Sequence, residues 1–131
     1  MEEYIRRFIE WTKLKVRIHI AENRCLYYRE KEIWWTSLGM NIGYEQDGKN
    51  AKFERPVIII KKFNKEIFWA IPTTTKPRDG SYYYNFTFKD QSQTIILPPL
   101  RLLSSKRLIR KIGIIDDDVF IDVKKKIKNY L

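Results

Sequence analysis

Residues Glu54–Lys62 read ERPVIIIKK, and Val57 to Ile60 is an unbroken run of β-branched aliphatics. A run that is apolar at both odd and even positions leaves no face for water, which predicts a strand buried on both sides. Proline lacks the N–H that a ladder needs, so Pro56 is expected at the first position of this strand. Arg55 then stands at the mouth of a rigid element. Phe63-Asn64-Lys65 predicts a tight turn into a second strand, Ile67 to Pro72, which runs into Thr73, Thr74 and Thr75. The pair is expected to bring Arg55 and Thr74 to the edge of one pocket.

Working outward, Glu2 to about Ala21 carries Tyr4, Ile5, Phe8, Ile9, Trp11, Leu14 and Ile18 mostly at three- and four-residue spacing, which predicts a helix with a basic polar side. LKVRIHI also alternates as a strand does, so its last turn stays open. Ala21 to Lys31 reads as a polar connector, and Glu32 to Leu38 as a strand with Trp34 and Trp35 on opposite faces. Gly39 to Lys52 is a long polar loop of the kind that is functional or mobile in a compact domain. Beyond the KPRDG turn at Lys76 to Gly80, strands are predicted at Ser81 to Lys89, Gln93 to Leu97, Leu100 to Leu103 and Arg110 to Ile115. Ser104 or Ser105 caps a short turn through Lys106, Arg107 and Leu108. Asp116 or Asp117 caps a final helix to about Tyr130, with Val119, Val123 and Ile127 on its buried side. Strands without a βαβ rhythm, flanked by a helix at each end, predict a mainly β, antiparallel, barrel-like single domain.

The chain carries 26 Lys and Arg against 16 Asp and Glu, a net charge of +10 that biases its surface toward a polyanion or an acidic protein. Cys25 is alone, which excludes an intramolecular disulfide and fits a reducing cytoplasm. With His19 as the only histidine, a His/Cys zinc site within one chain is excluded, and no cofactor is expected. The charged start is neither a signal peptide nor a membrane span. The expectation is a soluble, cytoplasmic protein.

Four stretches in order, EIWWTSL, GYEQDGKNAKFERPVIIIKK, AIPTTT and LRLLSSKRLIRKIG before a closing helix, resemble the MazF/PemK family of toxin endoribonucleases from Glu32 to Leu131. Residues 1–22 look like an N-terminal extension. The resemblance implies a small SH3-like barrel, a homodimer, metal-free cleavage of single-stranded RNA, and silencing by a cognate antitoxin. By position Arg55 matches the family's catalytic arginine, Thr74 its catalytic threonine, and Glu45 the acidic residue of its first loop. The loop from Glu45 to Arg55 is longer than the usual one, Lys31 replaces a glycine before the first strand, and Pro98-Pro99 replaces an acid and a glutamine. The aspartate and arginine of Kid-type toxins have no equivalents here.

Metal-free cleavage needs a base for the 2′-OH, charge stabilisation at the phosphate and a proton for the departing 5′ oxygen. A planar guanidinium suits the second task, and Arg55 supplies one. Thr74 adds a neutral donor, and Glu45 is the candidate base. For binding, Arg101, Lys106 and Arg107 belong to a basic run that meets phosphates, an acidic antitoxin segment or the dimer partner. Trp34 and Trp69 are candidate stacking platforms for unpaired bases, and Gln46, Lys61 and Thr73 complete the RNA-contacting set. Against these stand plainer readings: a surface ion pair for Arg55, strand-end threonines, a solvated Glu45 and core aromatics. The rival function is a catalytically silent RNA- or protein-binding module on the same barrel, including a gyrase-poison-like role.

Overall fold

The computed structural model describes residues 1–22 and 26–131. Cys25 and part of the expected connector lie outside the described residues. The elements are helix α1 at Glu2–Ile20, strands β1 at Glu32–Ser37, β2 at Glu54–Lys62, β3 at Ile67–Thr74, β4 at Tyr83–Phe88, β5 at Gln91–Ile96, β6 at Arg101–Ser104 and β7 at Leu108–Ile114, and helix α2 at Asp117–Asn129. A single 3-10 turn at Ser105–Arg107, started by Ser104 accepting from Lys106 N, joins β6 to β7. LKVRIHI stays helical, and no helix among the described residues is long and apolar enough to cross a membrane.

The strands form one antiparallel sheet in the order β4-β5-β3-β2-β1-β7, with β6 also on β3. The apolar run of β2 explains its central place. Ile58 and Ile60 point into one cluster with Ile33, Ile71, Phe86, Ile95 and the α2 residues Phe120 and Val123. Val57 and Ile59 point into the other, with Tyr28, Trp34, Phe68, Leu103 and Leu108. Covering both sides of a fully buried Val or Ile contributes about 1.5–3 kcal/mol per side chain, so β2 is the strand the sheet is least able to lose.

Along one edge of β3, Ile67–Ala70 pair with β6 and Thr73–Thr74 pair with β5. Two partners on one edge make the sheet bend where they part. The expected barrel is therefore a strongly coiled sheet whose end strands are not hydrogen-bonded to each other. They still meet: Lys89 Nζ donates to Ile112 O at 2.7 Å, and a Cβ on Gly113 would fall 2.5 Å from Phe88 Cζ. A glycine at that point lets an aromatic ring close the gap that a ladder leaves open.

Pro56 sits two residues inside β2 and not at its start, with Arg55 paired to Thr36 before it and Val57 to Trp34 after it. The flanking pairs carry the ladder across the missing donor. Lys31 has φ of 74°, its N–H donates to Ile59 O at 2.9 Å and its carbonyl accepts from Ile115 N at 3.0 Å. The left-handed turn into β1 thus persists with a lysine at the position, at a conformational cost that glycine would avoid.

Glu32, at the start of β1, is buried and accepts from Arg29 N and Trp34 Nε1, both at 2.9 Å, and from Lys111 Nζ at 2.8 Å. Burial pushes its carboxyl up, but the bonds from Lys111, Trp34 and Arg29 outweigh that and hold it below the usual glutamate value. A lowered folded-state pKa means that this stability is present above the ordinary glutamate value and is lost as pH falls from there through the lowered one. Glu32→Ala should cost about 2–4 kcal/mol at neutral pH, by denaturant titration, because the buried Trp34 N–H, the Arg29 N–H and the Lys111 ammonium lose their acceptor. Its deficit should shrink as the pH is lowered below the ordinary glutamate range, and a deficit constant with pH would remove the ionised carboxylate from the account.

Candidate active site

Arg55 is half-buried where β2 begins, and its guanidinium is held from two sides. Nε donates to Asp47 O at 2.8 Å, and one terminal nitrogen reaches Thr73 O at 3.5 Å. Burial lowers its pKa, and the Asp47 carboxylate opposes that. The result is a positioned cation in a partly dry place, where its field is stronger than in water. Thr73 and Thr74 stand on the adjacent strand. Thr73 Oγ1 donates to Pro56 O at 3.5 Å, and Thr74 Oγ1 accepts from Lys76 N at 3.3 Å, leaving its own proton free to donate.

Arg55, Thr73 and Thr74 line one cleft of about 410 Å³, together with Lys49, Glu54 and Lys89. The expected meeting of Arg55 and Thr74 is therefore present. Glu45 lies elsewhere: it lines a larger, mainly apolar cavity of about 580 Å³ with Gln46, Arg101, Pro98 and Pro99. Its Oε1 accepts from Ile42 N at 3.1 Å and closes a turn of the loop. The larger cavity is not the one that gathers the arginine and the threonines.

The carboxylate in the arginine's cleft is Glu54, which is buried and pairs with Arg110 at 3.4 Å, while Arg110 lies over the Trp35 ring at 5.0 Å. Sequence reading passed over Glu54 as the opening residue of β2. Lys49 and Lys89, the cleft's further cations, were hidden in a loop and a turn. The only signal for Glu54 was its place beside Arg55.

The remaining expected contacts scatter. Trp34 is a correction: it is 5% exposed and its indole N–H is spent on Glu32, so no base can stack on it. Trp69 is 44% exposed and packs edge-on against Phe63 at 5.1 Å, opposite Lys61 on β2. That pair lies six residues along β2 from Arg55, roughly 20 Å away in extended chain. Lys106 Nζ donates to His19 O at 2.7 Å. Arg107 is half-buried and donates to Ser37 O at 3.1 Å and Leu38 O at 3.4 Å; burial, and then Arg101, lower its pKa to about 10. Its guanidinium is committed to the backbone inside the domain.

What holds Asp47 in reach of Arg55 is a chain of contacts that starts on α1. Leu38 N and Gly39 N both donate to Phe53 O, at 2.9 and 3.1 Å, and Gly48 N donates to Gly39 O at 2.8 Å. A Cβ on Gly48 would fall 1.7 Å from Phe53 O, so only glycine fits that crossing. Trp11, buried, packs against Phe53 at 5.6 Å between ring centroids and fills the space in front of Gly39. Arg7 lies 3.9 Å over the Phe53 ring and donates to Asn50 O at 3.1 Å.

With this geometry in hand, comparison with known proteins gives a consistent picture. The family model described as PemK-like, MazF-like toxin of type II toxin-antitoxin system matches residues 29–131. The crystal structure of MazF (Form-I) from Deinococcus radiodurans superposes with a TM-score of 0.64 at 16% identity, covering 80% of this chain and 96% of that one. The crystal structure of Mtb toxin gives 0.51 at 18% identity, covering 59% and 92%. No curated protein matches the chain. At these identities the two structures establish the fold, and α1 lies outside the matched family domain.

The bracing of the loop by α1 can be checked directly. Trp11→Ala should speed amide exchange at Gly39 and Gly48 at least about tenfold, as local opening becomes easier, while the amides of Ile58 and Ile71 keep their protection. Unchanged exchange at both glycines would show that the loop holds itself.

Proposed function

The chain belongs to the PemK-like, MazF-like toxins of type II toxin-antitoxin systems, and from that premise we propose that it is a metal-independent endoribonuclease acting on single-stranded RNA. The observation that carries the reading is Arg55, half-buried and held by Asp47 O and Thr73 O, in one cleft with Thr74. On this reading Arg55 donates to two oxygens of the scissile phosphate and offsets the charge that builds there. The Thr74 hydroxyl donates to the same group. Attack of the 2′ oxygen on phosphorus forms the P–O2′ bond and breaks the P–O5′ bond, the departing 5′ oxygen takes a proton from solvent, and the products are a 2′,3′-cyclic phosphate and a 5′-OH.

The 2′-OH proton needs an acceptor. Glu45 was the expected base, but it lines the other cavity, and Glu54 is the carboxylate that shares the cleft. We assign the base role to Glu54. Lys49 and Lys89 offer charge to the flanking phosphates, and Gln46 and Arg101 in the larger cavity are proposed to receive a neighbouring nucleotide. A cognate antitoxin, a homodimer and a cytoplasmic site of action follow from the family and complete the proposal.

Incubation with a long single-stranded RNA in EDTA, followed by analysis of the fragment ends, tests this. The wild type should give 5′-OH ends. Arg55→Ala should abolish cleavage, Thr74→Val should slow it about 100-fold to 1000-fold, and Glu54→Gln should slow it more than Glu45→Gln does. Intact RNA with the wild type, under conditions where it binds that RNA or a protein target, would make the chain a binding module. A larger effect at Glu45 would return the base role to the loop.

A further inference from the structure

Helix α1 carries two apolar stripes on opposite sides. At about 100° per residue, Arg7, Trp11, Leu14 and Ile18 fall within about 60° of arc. These are the residues that face the domain: Trp11 is buried and the other three are half-buried. Ile5, Ile9, Val16 and Ile20 fall within a second arc of about 60°, centred on the far side. They are 53%, 51%, 53% and 71% exposed. One exposed isoleucine needs no explanation, but four large aliphatics aligned along a helix 19 residues long form an apolar stripe in two parts, Ile5 with Ile9 and Val16 with Ile20, with Thr12 and Lys13 between them.

The charges beside this stripe have one sign over its C-terminal half. Lys13 and Arg17 flank it on one side, Lys15 lies about 80° from its edge on the other, beyond Thr12, and among the described residues none of the three is paired with a carboxylate. Arg6, nearer the N-terminus, is paired with Glu3. An apolar stripe between free cations is the complement of an apolar stripe between anions.

We propose that the outer face of α1 is a docking surface for an amphipathic helix of a protein partner, which lays its apolar stripe on Ile5, Ile9, Val16 and Ile20 and sets acidic side chains against Lys13, Lys15 and Arg17. A second copy of this chain offers little acid: paired antiparallel it sets only Glu2, Glu3 and Glu10 against Lys13, Lys15 and Arg17, Glu3 is already paired with Arg6, and each copy carries a net charge of +10. A nucleic-acid backbone offers charge without an apolar stripe. An anionic lipid surface offers both, yet of the side-chain types that anchor helices among headgroups Trp11 is turned to the domain and exposed Tyr4 lies about 130° round the helix from the stripe's centre. The surface lies on the side of α1 opposite Trp11, and its occupation is read by binding and not by RNA cleavage.

Two labelled synthetic helices of about 20 residues, with leucines at a and d and either glutamates or lysines at e and g, serve as probes by fluorescence anisotropy. The wild-type chain should bind the glutamate helix at least about tenfold more tightly than the lysine helix. Ile9→Gln/Val16→Gln should lose both, and Lys13→Glu/Arg17→Glu should invert the preference. Far-UV circular dichroism checks that α1 persists in each variant, as the substituted side chains are exposed. Absent binding, equal affinity for the two probes, or binding that survives Ile9→Gln/Val16→Gln overturns the assignment. Concentration-dependent self-association in sedimentation that the same variant removes gives the face to a second copy. Co-flotation with phosphatidylglycerol vesicles that depends on Ile9 and Val16 gives it to a lipid surface, and either result also overturns it.

Discussion

Val57, Ile58, Ile59 and Ile60 exclude water from both sides of one strand, so each side of β2 has to be covered by a separate layer. On one side the cover is the curled-over β4-β5 pair and α2; on the other it is Tyr28, Trp34, Phe68 and the β6-β7 end of the chain. The bend of β3 between two partners follows from that demand, because a flat sheet cannot wrap both sides of its own centre. Arg55 inherits its precision from this arrangement. Its backbone is locked by the pairing of β2 with β1, and its reach is set before the side chain has made a single bond.

A guanidinium also has to be held at its far end. Asp47 O does this from a loop that owes its course to backbone bonds among Leu38, Gly39, Gly48 and Phe53, and Trp11 closes that arrangement from outside. Neutral carbonyl acceptors orient the guanidinium without satisfying its charge. That difference matters for chemistry, since a cation already neutralised by a close carboxylate has little left for a phosphate. The Asp47 carboxylate accepts from Asn41 N at 2.5 Å and reaches the guanidinium through its field, without a hydrogen bond to it.

Local signals carried much of the fold. The parity-free run of β2, the tryptophan pair of β1, the Ser104 cap and the spacing of Val119, Val123 and Ile127 each depend on neighbours in sequence, and each element stands where those signals put it. The coiling of the sheet was harder to read, because it depends on β3 switching partners and on Phe88 meeting Gly113 across residues far apart in the chain. In the candidate site, Arg55 and Thr74 were legible from strand ends. Glu45 lines the other cavity, and the tightness of Gly48 against Phe53, which sets the course of its loop, has no signature in one sequence. Trp34 and Arg107 carried the right chemistry for RNA, but burial diverted both to partners inside the domain. Periodicity also revealed α1, yet not that two of its sides are apolar for different reasons.

Trp11 occupies the space that any side chain at position 39 would need, with 2.0 Å between its Cε2 and the place of a Cβ there. The helix and the loop are consequently not interchangeable parts. A chain without α1 is released from the steric demand at Gly39, although the φ of 88° would still favour glycine; a barrel given the helix by recombination must acquire the bare position and the Phe53 ring at the same time. The boundary of the matched family domain at residue 29 is therefore not a boundary of mechanics.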